Sequence, residues 1–280
     1  MCRLLGVSTS GYYAWRSRPP SRRTRADAAL THRIVFIHLM SRGTYGAPRI
    51  QAELYQGWGI RCSRKRVARL MRAAGLVGVH RRRYRCTTRR DPAAKPYPDL
   101  VGRVFAAAGP NRLWVADITQ HRTGEGWLYL AAVIDVYWRR VVGWSMADNL
   151  RADLVSGALA MAVAERRPAP GLVHHSDHGA QYTSVAFGRR LRAAGILGSM
   201  GRVGDALDNA VAESFFATLQ TELLDRQTWP TRQALRSGVF EYIEGFYNLR
   251  RRHSALGYLS PAEYERRSAP TRTSDNRVPA

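Results

Sequence analysis

The chain has 280 residues with 45% apolar content, enough for two modest domains with real cores. Its formal charge is +23, from 44 Lys and Arg against 21 Asp and Glu. That balance excludes an ordinary enzyme of small molecules and points to a polyanion, above all nucleic acid.

The charge is unevenly placed. Residues 1–95 hold 22 Lys and Arg against three acids (Asp27, Glu53, Asp91), a net +19, whereas 96–280 hold 22 against 18, a net +4. The first third is a polycation and the rest is nearly balanced. Nothing reaches the roughly 18–20 apolar residues of a membrane span, and no basic face is set against an exposed aromatic one. Met1-Cys2-Arg3-Leu4-Leu5 does not read as a signal peptide. Cys2, Cys62 and Cys86 are too scattered for a disulfide framework or a Cys-x-x-Cys zinc site. A reducing, cytoplasmic setting with no membrane partner is expected.

In chain order, Leu4-Leu5-Gly6-Val7-Ser8 reads as a helix end, a tight turn and an N-cap, with Gly11-Tyr12-Tyr13-Ala14-Trp15 on the next helix. This is a helix-turn-helix pattern whose first helix is cut short at Met1. A Pro/Arg-rich linker is expected over 16–25, then a helix from about Asp27 to Met40 with Leu30, Ile34, Ile37 and Leu39 apolar. A second helix pair is clearer. Pro48 suits a first turn, Ile50 and Leu54 give one face, and Gly57-Trp58-Gly59 breaks the helix. Ser63 caps a helix on which Val67, Leu70, Met71 and Ala74 form a seam and Gly75 is the stop. Arg64, Lys65, Arg66, Arg69 and Arg72 surround the seam, which fits a DNA-reading helix. The basic run continues through Arg81, Arg82 and Arg83 toward a Pro-containing linker ending near 98. These residues are read as an arm gripping the DNA backbone. A domain boundary is expected near 95–105.

Beyond it the periodicity changes. Strands are expected at Leu113–Thr119, Trp127–Asp135, Arg140–Met146, Leu172–His175 and Ile196–Met200. Helices are expected over about 152–166, 184–194, the segment holding Glu213, and 231–248. Three antiparallel strands followed by alternating helices and strands is the order of an RNase H-like α/β core. The expected fold is thus a mixed five-stranded sheet flanked by helices, preceded by an all-α helix-turn-helix region. The division is 1–95 (DNA-binding region and linker), 96–225 (catalytic core) and 226–280 (C-terminal helix and basic tail).

Three acids stand out. Asp117 lies mid-strand in Trp114-Val115-Ala116-Asp117-Ile118-Thr119. Asp177 follows the fourth strand, and Glu213 lies in the first turns of a helix. Carboxylates are the ligands that Mg²⁺ or Mn²⁺ takes when a pair of ions flanks one phosphate. Singly each has a plainer reading, as a turn, a cap, or a helix N-terminal acid favoured by the dipole. Asp135 is a weaker ligand candidate, Asn209 with Asp208 reads as a helix cap, and Glu222 falls on nearly the opposite side of its helix from Glu213. Of His174, His175 and His178, the first two point to opposite faces of a strand, so no zinc cluster is expected.

Gly11-Tyr12-Tyr13-Ala14-Trp15, Thr44-Tyr45-Gly46-Ala47-Pro48-Arg49-Ile50, the Asp117 strand, His175-Ser176-Asp177-His178-Gly179-Ala180-Gln181-Tyr182, Asp208-Asn209-Ala210-Val211-Ala212-Glu213-Ser214-Phe215-Phe216 and Tyr247–Tyr258 occur together and in order. With them the chain resembles the second-frame (OrfB) product of insertion-sequence-three transposases, whose catalytic domain is similar to retroviral integrase within the DDE RNase H-like superfamily. The resemblance implies a polynucleotidyl transferase in which Asp117, Asp177 and Glu213 are catalytic and hold Mg²⁺ or Mn²⁺, two ions with DNA bound. It implies cleavage at the element's ends and direct attack of the freed 3′-hydroxyl on another phosphodiester. The 35 residues between Asp177 and Glu213 match that spacing. Arg250, Arg251 and Arg252 would lie along DNA. Terminal inverted repeats and target DNA, further copies of the chain, and an upstream first-frame product fused by frameshifting are the implied partners. The implied location is bacterial, cytoplasmic and nucleoid-associated. Two positions depart from the family. Gln220 stands where Lys or Arg is usual, two turns beyond Glu213 and facing DNA, and Trp138 replaces a small polar turn residue. The competing functions are a DNA-binding regulator or remnant without catalysis, and a nuclease that cuts without joining.

Overall fold

The computed structural model describes residues 2–79, 97–102, 104–201 and 209–268. The chain forms two compact units, Met1–Val79 and His80–Ala280. The expected arm Arg81–Arg83, the linker up to 96, and Asp208 lie outside the described residues.

In the first unit, helix α1 (Thr9–Ser17) is capped by Ser8, whose hydroxyl accepts from the Gly11 amide. The predicted linker proves shorter than 16–25. Pro19-Pro20 cannot continue α1, and Ser21 at once caps α2 (Arg22–Met40), so that helix starts five residues before the expected Asp27. Leu30, Ile34 and Ile37 of α2 are buried with Ile50 and Leu54 of α3 (Ala47–Trp58) and Val67, Leu70 and Met71 of α4 (Arg64–Ala73). Leu39 falls off that face and is 69% exposed. Ser63 caps α4 by accepting from the Arg66 amide, and Gly59 and Gly75 end α3 and α4 at positive φ. After α4 the chain returns across the Thr44-Tyr45-Gly46 turn. The Val79 amide donates to the Thr44 carbonyl, and a Cβ on Gly78 would stand 2.5 Å from the Gly46 backbone, so the crossing needs glycine.

In the second unit the sheet order is β3-β2-β1-β4-β5. Strands β1 (Leu113–Thr123), β2 (Gly126–Asp135) and β3 (Arg140–Ala147) are antiparallel neighbours. Strand β4 (Val173–Ser176) lies parallel to β1, and β5 (Leu197–Met200) parallel to β4. This is the expected mixed five-stranded sheet. Trp114, Ala116, Ala131, Val133 and Val142 point to one face. There they form a core with Leu154, Val155, Ala158 and Leu159 of α5 (Ala152–Arg166) and Phe187 and Leu191 of α6 (Val185–Ala193). Because side chains alternate along a strand, Val115, Asp117, Ala132 and Ile134 face the other way. On that side lie α7 (Ala210–Glu222) and α8 (Arg232–Phe240).

The predicted helix 231–248 keeps its span but loosens to i→i+5 bonding over Glu241–Tyr247. The segment beyond it covers the edge strand. Strand β3 is an edge of the sheet, and the outward backbone groups of Val141 are met by the side-chain amide of Asn248. Its Oδ1 accepts from the Val141 amide at 3.0 Å and its Nδ2 donates to the Val141 carbonyl at 2.9 Å. A helix not anticipated, α9 (Pro261–Ser268), follows. Ser260 and Glu263 cap it reciprocally, Ser260 Oγ accepting from the Glu263 amide and Glu263 accepting from the Ser260 amide. Trp138 now has a role, being 4% exposed and edge-to-face with Tyr264 of α9 at 5.8 Å.

Candidate active site

Strand register brings the first two acids together. The last parallel pair between β1 and β4 is Ala116 with Ser176, so Asp117 and Asp177 are the next residues along neighbouring strands. Asp117 is held mid-strand opposite Ala132, and its Oδ1 accepts from the Ile118 amide at 2.7 Å. Asp177 sits where β4 gives way to a loop, and its Oδ1 accepts from the Gly179 amide at 3.1 Å.

The third acid arrives on α7, whose docking is built from one side chain. Asn209 stands at the N-cap position, as expected, but makes no side-chain capping bond. Its Nδ2 instead donates to the Ala116 carbonyl at 2.9 Å, while its own carbonyl accepts from the Glu213 amide at 3.0 Å. One residue thus fastens the first turn of α7 to the strand position beside Asp117. Val211, Ala212, Phe215 and Leu219 bury the inner face of the helix. Glu213 lies half-buried in that first turn.

Electrostatics join the three. The Asp117 carboxyl is pushed up to about 7, first by burial and then by the negative charges of Asp177 and Glu213, against the lowering effect of the Ile118 amide. Asp177 is also raised by burial, offset by the Gly179 amide and the charge of His178. These are carboxylate oxygens crowding one another, a donor set whose repulsion a divalent cation relieves. No group of three or more His, Cys, Asp or Glu among the described residues closes into a metal-holding cluster. The acids share a field without forming a coordination shell in this conformation.

The histidines divide as their strand positions require. His174 is buried in the α5–α6 core against Phe187 at 5.3 Å, on the face away from Asp117, and burial lowers it to about 4, so it is neutral. His175 Nδ1 bonds Ser199 Oγ at 2.9 Å, and His178 Nε2 bonds the Gly201 carbonyl at 2.5 Å. Asp135 is not at the site. It is fully buried, and its carboxylate accepts from the amides of Asn111, Tyr137 and Trp138 and from the Trp114 indole, organising the β2–β3 turn.

The basic residues expected on DNA separate into two kinds. Arg64, Lys65 and Arg250 are exposed. Arg66 and Arg69 of α4 both reach Asp27 of α2 at 2.6 Å, so part of their charge is spent inside the unit. Gln220 is half-buried and donates to the Asp225 carboxylate. Arg251 and Arg252, expected along DNA, are instead found buried and ion-paired within the unit. Arg251 is 5% exposed and bidentate to Glu222 at 2.8 Å, and Arg252 is 6% exposed and paired to Glu263 at 2.5 Å. A run of arginines shows its charge in the sequence but not the acids that meet it after folding. Pattern reading missed the Asn209 bond to Ala116 and the Glu222–Arg251 pair.

Comparison with known proteins follows the same lines. A family model described as an HTH-like domain matches residues 24–84, and two described as integrase core domains match 107–206 and 194–261. An uncharacterized 31 kDa protein of insertion element IS600 from Shigella sonnei is 42% identical, covering 94% of this chain and 97% of that one. The transposase InsF for insertion sequence IS3A of Escherichia coli K12 is 38% identical, covering 96% and 93%. Among solved structures, a chain of the simian T-cell lymphotropic virus intasome in complex with a PP2A regulatory subunit superposes with a TM-score of 0.48 at 15% identity. That match covers 88% of this chain and 76% of that one.

Proposed function

Because this chain belongs to the insertion-sequence-three family of transposases, we propose that Asp117, Asp177 and Glu213 are the catalytic and metal-binding triad with which it cuts and rejoins DNA strands. Its relatives are transposases with an integrase core, which supports that function over a regulator or remnant. The observation that carries the triad is geometric: the last β1–β4 pair is Ala116 with Ser176, so Asp117 and Asp177 leave neighbouring strands side by side, and Asn209 bonds the start of the Glu213 helix to Ala116.

In this reading the acids do little covalent chemistry. Asp117 on its strand is the fixed reference and Asp177 its neighbour in register, while Glu213 reaches across from α7. Mg²⁺ or Mn²⁺ held there, two ions with DNA bound, would supply Lewis-acid polarisation of the scissile phosphate and a lowered pKa for the attacking hydroxyl. The attacking oxygen, first from water and then from the freed 3′-hydroxyl, forms one P–O bond as another breaks. Hydrolysis yields a 3′-hydroxyl end and a 5′-phosphate end. Strand transfer yields a new phosphodiester and frees a 3′-hydroxyl of the target strand, and neither step needs an oxidant, reductant or enzyme-linked intermediate. Residues 1–95, with Arg64 and Lys65 exposed on α4, supply phosphate contacts. Residues 96–225 do the chemistry, and 226–280 flank them. Further copies of the chain on DNA and a fused first-frame segment belong to the same proposal.

The test incubates the protein, alone and as a frame fusion, with labelled terminal repeats and Mn²⁺. Joined product that disappears in Asp177→Asn is expected. Cut product without joining would reduce the protein to a nuclease, and a bandshift without either product would reduce it to a DNA-binding protein.

A further inference from the structure

The block Tyr247–His253, which reads as a basic DNA grip in the sequence, is folded inward. Arg251 Nε donates to Glu222 Oε2 and Arg251 Nη2 to Glu222 Oε1, both at 2.8 Å, and the Tyr242 hydroxyl donates to Glu222 Oε2 at 2.9 Å. All three side chains are buried. The Arg251 guanidinium also lies over the Tyr247 ring at 5.6 Å. Tyr247 in turn packs edge-to-face on His253 and on Phe215 of α7, each at 4.9 Å. Desolvation works to lower Arg251, and the Glu222 carboxylate outweighs it, so the guanidinium stays charged. Glu222 is the last residue of α7, where a negative charge opposes the helix dipole, so its place there needs the cation that meets it.

The same segment is fastened at its other side to the sheet, through Asn248 on Val141 of β3. It therefore ties the helix that carries Glu213 to the sheet that carries Asp117. Glu213 and Glu222 are nine residues apart in the sequence, a lever of about 14 Å along the helix, so a pivot of about 4° moves Glu213 by about 1 Å. Misplacement on that scale costs catalysis about 10²-fold.

The geometry points to Arg251 as a positioning residue: through its bidentate pair with Glu222 it holds α7 at the angle that presents Glu213 to Asp117 and Asp177. This rests on the reading of Glu213 as a metal ligand. Buried ion pairs are often replaceable by apolar residues of similar volume without loss of stability, so a double apolar variant separates a stability role from an angle-setting one.

The experiment measures Mn²⁺ affinity by calorimetry and melting temperature on the full chain. It compares wild type, Glu213→Gln, Arg251→Lys and the double variant Glu222→Leu with Arg251→Met. The double variant is expected to melt near wild type yet bind Mn²⁺ about tenfold or more weakly, the scale of losing an outer support of a metal site. Glu213→Gln is expected to bind at least as weakly. Wild-type affinity in the double variant, with affinity lost in Glu213→Gln, overturns the role of Arg251 and leaves the triad standing. Wild-type affinity in Glu213→Gln overturns the triad and this inference with it. Should the double variant not fold, Arg251→Lys decides alone: it keeps the charge and loses the fork, so weakened Mn²⁺ binding supports the role and unchanged binding overturns it.

Discussion

The side-chain amide of Asn209 donates to the backbone carbonyl of Ala116 at 2.9 Å, joining the first turn of the Glu213 helix to the strand residue preceding Asp117. Ala116 is also the last residue of β1 paired to β4, so this one carbonyl lies where strand, neighbouring strand and helix converge. Asn209→Ala removes the anchor and leaves a buried carbonyl without its donor, a stability cost of about 1–3 kcal/mol. Strand-transfer rate is expected to fall about 10²-fold, because the helix start can drift relative to Asp117. Paired rate and melting measurements check this; a loss of stability with an unchanged rate would reduce Asn209 to a packing residue.

The Asp117 carboxyl, raised to about 7, makes a signed prediction for the metal-free protein. Folding favours its protonated form. That stability is fully present below its unfolded value near 3.8 and is lost as pH rises through about 7. Asp117→Asn removes the charge and keeps an oxygen for the Ile118 amide. At pH 8 the variant should be more stable than wild type by up to about 4 kcal/mol, with the gap closing toward pH 4. Thermal melts in EDTA across that range measure it. A variant less stable than wild type at pH 8 would contradict the crowded field.

Metal addition should show the same coupling from the other side. Near pH 7, Mn²⁺ binding is expected to release about half a proton, because the ion requires Asp117 ionised and about half of it is protonated there. At pH 8.5 the release should nearly vanish. Calorimetry in buffers of different ionisation enthalpy reads the proton count directly.

The position of Gln220 is set by Asp225, which accepts its amide hydrogen. A lysine introduced there would meet that carboxylate before any phosphate. Gln220→Lys alone should therefore change strand transfer little, whereas Gln220→Lys with Asp225→Asn should raise it severalfold by restoring a charge-assisted contact to DNA. The comparison with Gln220→Ala sets the baseline. A full gain from the single lysine would show that Asp225 does not hold it.

In the first unit, Asp27 separates two kinds of arginine on α4. Its carboxyl is held low by the side chains of Arg69 and Arg66, so this support is present at neutral pH and is lost as pH falls through the lowered value. Arg64→Ala and Lys65→Ala should each reduce the salt slope of DNA binding by about one, with no change in melting temperature. Arg66→Ala should lower the melting temperature as well, since it loosens α4 from α2. Equal behaviour of Arg64 and Arg66 in both assays would remove the distinction.

Much of this was legible in residues alone, for local reasons. The strands of the core announce themselves by apolar runs bounded by turns, with Asp117 a lone acid inside one such run, Asp177 just past another and Glu213 in the first turn of a helix. The capping pair Ser260 and Glu263, with Pro261 between, was an available sign of α9 that periodicity over a short polar helix did not supply. What could not be read was pairing over distance. Glu222 reads in the sequence as facing away from Glu213, but its partner Arg251 lies 29 residues on, beyond the loosened turns of 241–247. The same folding back buries two of the three consecutive arginines that the family resemblance placed along DNA.

The central claim, that three acids from β1, the end of β4 and α7 serve one metal site, is tested most directly by anomalous scattering from crystals of the full chain soaked in Mn²⁺. The account predicts manganese peaks within ligand distance of Asp117, Asp177 and Glu213, lost in Asp177→Asn. Manganese bound elsewhere, or a peak at Asp117 that survives removal of both Asp177 and Glu213, would contradict it.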